Sequence, residues 1–288
     1  MTTKLIAIDL DGTLLNNQNE ISAENLQAMK EAQAQGVEVV VATGRAAFDV
    51  KKIFEQTDIN TWIIAANGAT IHQPNGEPYL SVPMKKSDAL DSLKWLEENG
   101  YYYEVFSEEA IYTPQNGREL IAIEMDRLKS ANPELDLAPL RLAASKQFSQ
   151  SGFAFIPSYK ELEDEALSIY NILAFSFDDE KLTRGWNRFK DREDLTLVTS
   201  AHHNFELEHK DASKGNALKR LASQLRIPLD ETAAIGDSMN DYSMISIAKT
   251  GIAMGNARQE IKDIATFITK ENDEHGVAHA IYRLLEEK

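Results

Sequence analysis

Short apolar runs that stop abruptly at polar residues recur along this chain. Leu5-Ile6-Ala7-Ile8 carries no polar position and ends at Asp9-Leu10-Asp11, which predicts a short strand covered on both faces. Ser22 then stands where a helix cap belongs. Leu26, Met29 and Ala32 follow at helical spacing, and Gly36 marks the stop. Residues 37–42 predict a second buried strand, rich in β-branched side chains and ending at Thr43-Gly44-Arg45. A helix over 46–56 and a third strand over 62–66 come next, the strand ending at Asn67-Gly68. This alternation is the rhythm of a doubly wound α/β sheet.

From there the period changes. Asn75-Gly76 predicts a hairpin joining 69–73 to 79–82. Residues 87–99 read as a helix, 101–106 and 110–113 as sheet strands, and mixed elements continue to about 204. The first rhythm then resumes. A helix opens at Ser213 with Leu218, Leu221 and Leu225 on one face, and 233–235 is a strand ending at Gly236-Asp237. Residues 251–254 form another short strand, and a closing helix starts near Val277. The expected organisation is an α/β domain made of residues 1–82 and 206–288, interrupted by an inserted domain over 83–205.

Composition narrows the function. With 30 basic and 46 acidic residues the formal net charge is −16, which argues against nucleic acid or an anionic membrane surface as partner. The absence of cysteine removes disulfides, thiolate metal sites and cysteine nucleophiles together. No apolar run approaches the ~18 residues of a membrane span, and the N-terminal run stops too early for a signal peptide. A cytoplasmic protein is expected, its oligomeric state left open.

The chemistry gathers where strands end. In open α/β sheets ligands bind beyond the carboxyl ends of the strands. Four predicted strands end there in Asp9 and Asp11, Thr43-Gly44, Asn67-Gly68 and Gly236-Asp237. In an extended chain Asp9 and Asp11 would share a face, and two such carboxylates repel unless a cation intervenes or one keeps its proton. Taken singly, each feature has a plain structural reading. Asp-Gly is a common turn, Thr43-Gly44 and Asp237-Ser238-Met239-Asn240-Asp241 can cap helices, and Lys214 can be a surface lysine. Their joint occurrence, in this order, points to a site.

DLDGT at 9–13, TGR at 43–45, SKG at 213–215 and GDSMND at 236–241 together resemble the four signatures of the haloacid dehalogenase superfamily. The insert between the second and third signatures resembles the type IIB, Cof-like phosphatases. So do Asn67-Gly68-Ala69 and Met254-Gly255-Asn256-Ala257. His275 stands where such relatives tend to carry an acidic residue. The resemblance implies a Rossmann-like core with an inserted α+β cap of the C2B type. It also implies a magnesium-dependent phosphatase acting on a small phosphorylated metabolite, such as a sugar phosphate, through an aspartyl phosphate.

By that resemblance Asp9 is the nucleophile and Asp11 the general acid, then base. Mg2+ is held by the Asp9 carboxylate, the Asp11 carbonyl and Asp237, with Asp241 one shell out. The phosphate is held by Leu10 N–H, Thr43, Gly44, Lys214 and Asn240. Arg45 is open between a phosphate contact and an ion pair. In the insert, Tyr101-Tyr102-Tyr103, Phe106 and Tyr112 are read chiefly as core filling, and the adjacent His202 and His203, expected on opposite faces of a strand, are given no role. A phosphomutase of the same cap type and a non-catalytic phosphometabolite-binding protein are the alternatives.

Overall fold

A computed structural model describes residues 3–148 and 150–286 of the chain. In order, its first elements are β1 (Leu5–Ile8), α1 (Ala23–Ala34), β2 (Glu38–Ala42), α2 (Ala47–Phe54), β3 (Trp62–Ala65), β4 (Thr70–His72) and β5 (Pro78–Ser81). There follow α3 (Lys86–Glu98), β6 (Tyr102–Phe106), β7 (Ile111–Pro114), α4 (Gly117–Ala131), α5 (Ala138–Gln147) and β8 (Phe153–Ile156). Next come β9 (Asn171–Phe175), α6 (Asp179–Phe189), β10 (Leu195–Val198) and β11 (Asn204–His209). The chain closes with α7 (Lys214–Gln224), β12 (Thr232–Gly236), α8 (Tyr242–Ile247), β13 (Thr250–Ala253), α9 (Gln259–Ile264), β14 (Phe267–Ile268) and α10 (Gly276–Glu286). Among the described residues no helix is long and apolar enough to cross a membrane.

The chain divides into two compact units, Met1–Val82 with Asp211–Lys288, and Pro83–Lys210. In the first, the strands lie in the order β14-β13-β12-β1-β2-β3-β4-β5. All neighbours from β14 to β3 are parallel, and the hairpin β4–β5 adds two antiparallel strands at one edge. Every residue of β1, β3 and β12 is buried, as a strand with helices on both faces requires. Helices α1 and α10 pack together, as do α7 and α8. Ser22 caps α1 by accepting from the Asn25 N–H, and Ser213 caps α7 by accepting from the Asn216 N–H. The order reverses at β1, which has β2 on one side and β12 on the other. That is where a doubly wound sheet opens a crevice at its carboxyl ends.

The second unit holds a six-stranded sheet in the order β10-β11-β9-β6-β7-β8, antiparallel except for β7 with β8. Its main core joins Tyr101, Tyr103, Val105, Ile172, Phe189, Phe205 and Leu207. Tyr102 faces the other way and donates its hydroxyl to Glu104 at 2.6 Å. Two sequence expectations are corrected here. The junction expected at 205/206 falls inside β11, which pairs along its length with β9, so the chain leaves this sheet only after Lys210. His202 and His203 lie in the turn before β11 rather than in a strand.

Candidate active site

The carboxyl ends of β1, β2, β3 and β12 lie side by side, since Ile8 is in register with both Val41 and Ile235, and Ala42 with Ile64. Asp9 follows β1, Thr43 follows β2, Asn67 sits in the turn after β3, and Asp237 follows β12. Two glycines permit the close approaches. Gly12 has φ +81°, and a Cβ there would lie 2.7 Å from Asp237 Oδ2, so only a bare backbone lets the loop after β1 meet the loop after β12. A Cβ on Gly68, at φ +100°, would lie 2.2 Å from the Ser213 carbonyl, so glycine brings the end of β3 against the start of α7.

That approach delivers Lys214. It is the first residue of α7 and fully buried, and its Nζ donates to Asp9 Oδ1 and Asp241 Oδ1, each at 2.6 Å. Asp241 is tied down further, because its Oδ2 accepts from the N–H groups of Asp237 (2.9 Å) and Ser238 (3.0 Å). Thr13 donates to Asp237 Oδ1 at 3.1 Å. One carboxylate oxygen from each of Asp9, Asp237 and Asp241 falls within 4.8 Å of the others.

Burial and the charge of Asp241 push the Asp9 carboxyl up to about 7, against the opposing pull of Lys214. Asp237 is raised well above the usual carboxylate range, first by burial and then by the charges of Asp9 and Asp241. Burial lowers the Lys214 ammonium, yet Asp241 and Asp9 outweigh it and the net shift is upward. One lysine therefore does not neutralise three carboxylates. Asp241 has both oxygens engaged, so the donor set left for a further cation is Asp9 and Asp237, all oxygen, which suits a hard divalent ion. The residues present fit magnesium.

The other expected phosphate ligands border the same place. Thr43 is buried, and its hydroxyl oxygen accepts from the Arg45 N–H at 3.1 Å, leaving its proton to donate. Gly44 lies against Asn67, whose Oδ1 would be 3.0 Å from a Cβ at that position. Leu10 is buried, and its carbonyl accepts from the Leu15 N–H at 2.9 Å, turning the chain back on itself. Asn240 spends one amide N–H on Asn67 Oδ1 (3.0 Å), while its Oδ1 accepts from Ser238 (2.6 Å).

Asp11 departs from expectation. The chain turns after Asp9, so the two side chains do not share surroundings: Asp9 is buried, while the Asp11 carboxylate is half exposed and stands outside the acidic cluster. Both Asp11 oxygens accept from Arg45, which also pairs with Asp49 on α2. The cation that balances the second aspartate is thus an arginine. Thr13 and Asn67 hold site residues in place without having been assigned a role from sequence. The available signals were the Thr that closes DLDGT and the Asn that ends the third strand. For Asp49 the signal was its spacing of four residues from Arg45.

A family model of haloacid dehalogenase-like hydrolases matches residues 6–281. The chain is 61% identical over 284 residues to phosphatase YwpJ of Bacillus subtilis (strain 168), covering 98% of this chain and 100% of that one. It is 42% identical over 283 residues to the 5-amino-6-(5-phospho-D-ribitylamino)uracil phosphatase YwtE of the same organism, covering 98% of each. Among solved structures, a haloacid dehalogenase-like hydrolase from B. subtilis superposes with a TM-score of 0.87 at 60% identity, over 98% of this chain and 99% of that one.

Proposed function

The chain belongs to the haloacid dehalogenase-like hydrolases of type IIB and is a phosphatase, and from that premise we propose that it hydrolyses small phosphomonoesters with magnesium, through a phosphoryl group carried on Asp9. The observation that carries this reading is the Lys214 ammonium clamped between Asp9 and Asp241, with Asp237 in the same cluster. An ammonium among carboxylates at converging strand ends is a device for admitting an anion into an acidic protein of net charge −16.

Asp9 Oδ attacks phosphorus, and the P–O bond to the alcohol breaks with its electron pair leaving on the alcohol oxygen. Asp11 gives that oxygen a proton and then takes one from the water that attacks the aspartyl phosphate. Asp9, the Asp11 carbonyl and Asp237 would hold magnesium, which would supply positive charge to offset repulsion between carboxylate and phosphate dianion. Lys214 has a third N–H beyond the two already used, and it is assigned to a phosphoryl oxygen. Thr43 hydroxyl, the N–H groups of Gly44 and Leu10, and the free amide N–H of Asn240 supply the remaining donors. Asp241 orients Lys214 and the loop after β12.

The inserted unit is proposed to select the leaving group. The relative named for 5-amino-6-(5-phospho-D-ribitylamino)uracil supports a small phosphorylated metabolite as substrate. A panel of phosphorylated metabolites, sugar phosphates included, assayed with and without magnesium, tests the reading. The expected result is release of inorganic phosphate that chelation abolishes. Isomer formation with little free phosphate would make the chain a mutase. Binding without turnover across the panel would make it a non-catalytic phosphometabolite-binding protein.

A further inference from the structure

Arg45 is the first residue past the strand-end Thr43-Gly44 pair, and its guanidinium is fixed on two sides. Nε donates to Asp11 Oδ2 at 2.8 Å and Nη2 to Asp11 Oδ1 at 2.6 Å, a two-point fork. Nη1 donates to Asp49 Oδ2 at 2.8 Å, and Asp49 is buried in the first turn of α2. The arginine side chain is 13% exposed, against 50% for Asp11 and 5% for Asp49. The exposed partner is Asp11, and the buried pair of Arg45 and Asp49 is the mount. The backbone of Arg45 is tied as well, its N–H to Thr43 Oγ1 (3.1 Å) and its carbonyl to the Ala66 N–H (2.9 Å).

We propose that Arg45 is a positioning residue, anchored by Asp49, that sets where the Asp11 carboxyl stands while it transfers a proton. The inference rests on the phosphatase reading above and deepens it by assigning a job to two residues outside the four signatures' expected roles. As long as both Asp11 oxygens accept from Arg45, neither is turned to an incoming ester. The Asp11 oxygen that takes up a proton lets go of its half of the fork and turns that proton to the leaving group, while the other half keeps the carboxyl within reach. A guanidinium suits this better than an ammonium, because three donors in one plane serve two carboxylates at once. Without the anchor on Asp49 the fork itself would wander, and correct placement would become one position among many.

The test separates acid placement from phosphate binding through the leaving group. An alkyl phosphate needs a proton delivered to its departing oxygen, whereas p-nitrophenyl phosphate departs as a stable anion. In Arg45→Ala, kcat/KM on the alkyl ester is expected to fall at least about tenfold more than on the aryl ester, within the usual worth of general acid catalysis. Arg45→Lys should not restore the ratio. Asp49→Asn, which keeps Arg45, should move it the same way by a smaller factor, and carries the test if Arg45→Ala does not fold. In an Asp11→Asn background, Arg45→Ala should leave the ratio where Asp11→Asn put it, because residues that act as a unit are not additive. Equal losses on both esters, a rise in KM alone, or additive effects with Asp11→Asn would overturn the proposal. A wild-type protein that hydrolyses neither ester would overturn the phosphatase reading as well, whereas an active wild type with an unmoved ratio sinks only this one.

Discussion

Asp9 in the first unit and Glu104 in the second are both buried carboxylates pushed up to about 7, burial being the largest cause in each. Their surroundings differ in kind. Glu104 lies within β6, and its oxygens accept from the Tyr102 hydroxyl (2.6 Å) and the Gln150 amide (3.2 Å), both neutral donors, with the charge of Glu206 as a smaller cause of the rise. Asp9 stands just past β1, bonded to an ammonium and crowded by Asp241 and Asp237. A carboxyl among neutral donors can settle its charge by keeping a proton. A carboxyl crowded by others beside a fixed cation is left with charge that an ion and a phosphoryl group can use. The same displacement in pKa therefore accompanies a packing detail in one unit and, on the function proposed above, a reactive centre in the other.

The sharpest way to break this comparison is substitution. Asp9→Asn should lower phosphate release by about a thousandfold or more, the usual consequence of losing a covalent nucleophile. Glu104→Gln, which mimics a protonated glutamate, should cost less than about tenfold. Steady-state kinetics on one phosphomonoester with both variants reads the difference. Comparable losses would mean that Glu104 belongs to the chemistry.

Stability sharpens the same contrast at smaller scale. Both groups have native pKa values above the ordinary carboxylate range, so between about pH 4 and pH 7 the native state holds more protons than the unfolded one. Their contribution to stability then falls as pH rises through that window, while buried His72, pushed down to about 4, contributes in the opposite sense over its lower part. In chelator, thermal unfolding temperature should drop between pH 5 and pH 8. Magnesium should recover more of it at pH 8 than at pH 5, because it binds the deprotonated carboxylates. Asp237→Asn should remove most of that recovery. Glu104→Gln should keep it while flattening the slope in chelator, by on the order of 2 kcal/mol over the window. A magnesium effect that is equal at both pH values, or that survives Asp237→Asn, would separate the acidic cluster from metal binding.

Much of the first unit was legible because its signals are local. Four-residue apolar runs, Ser22 and Ser213 as caps, and Gly36 as a stop are read one segment at a time, and they coincide with β1, α1 and α7. The convergence of Asp9, Lys214, Asp237 and Asp241 could be anticipated from strand ends in a doubly wound sheet together with the four signatures. The end of the insert was less legible: Glu206 and Glu208 alternate with Phe205 and Leu207, yet all four are buried within β11, which runs through the expected junction at 205/206. The pairing of Asp11 was hidden for a different reason. Strand alternation places residues 9 and 11 on one face only while the chain stays extended, and here it turns immediately, with Gly12 at φ +81°. Arg45 and Asp49 offered a helical spacing of four, a common pattern that carries no chemistry by itself.

The most direct measurement follows the phosphoryl group. The protein is mixed with a phosphomonoester labelled on phosphorus, quenched in acid within milliseconds, digested and mapped. The expected result is label on the peptide that carries Asp9, present only with magnesium, lost on chase with unlabelled substrate and absent from Asp9→Asn. Label on a different residue, or none at any quench time at which Asp11→Asn has slowed turnover to a single cycle, would contradict the role given to Asp9.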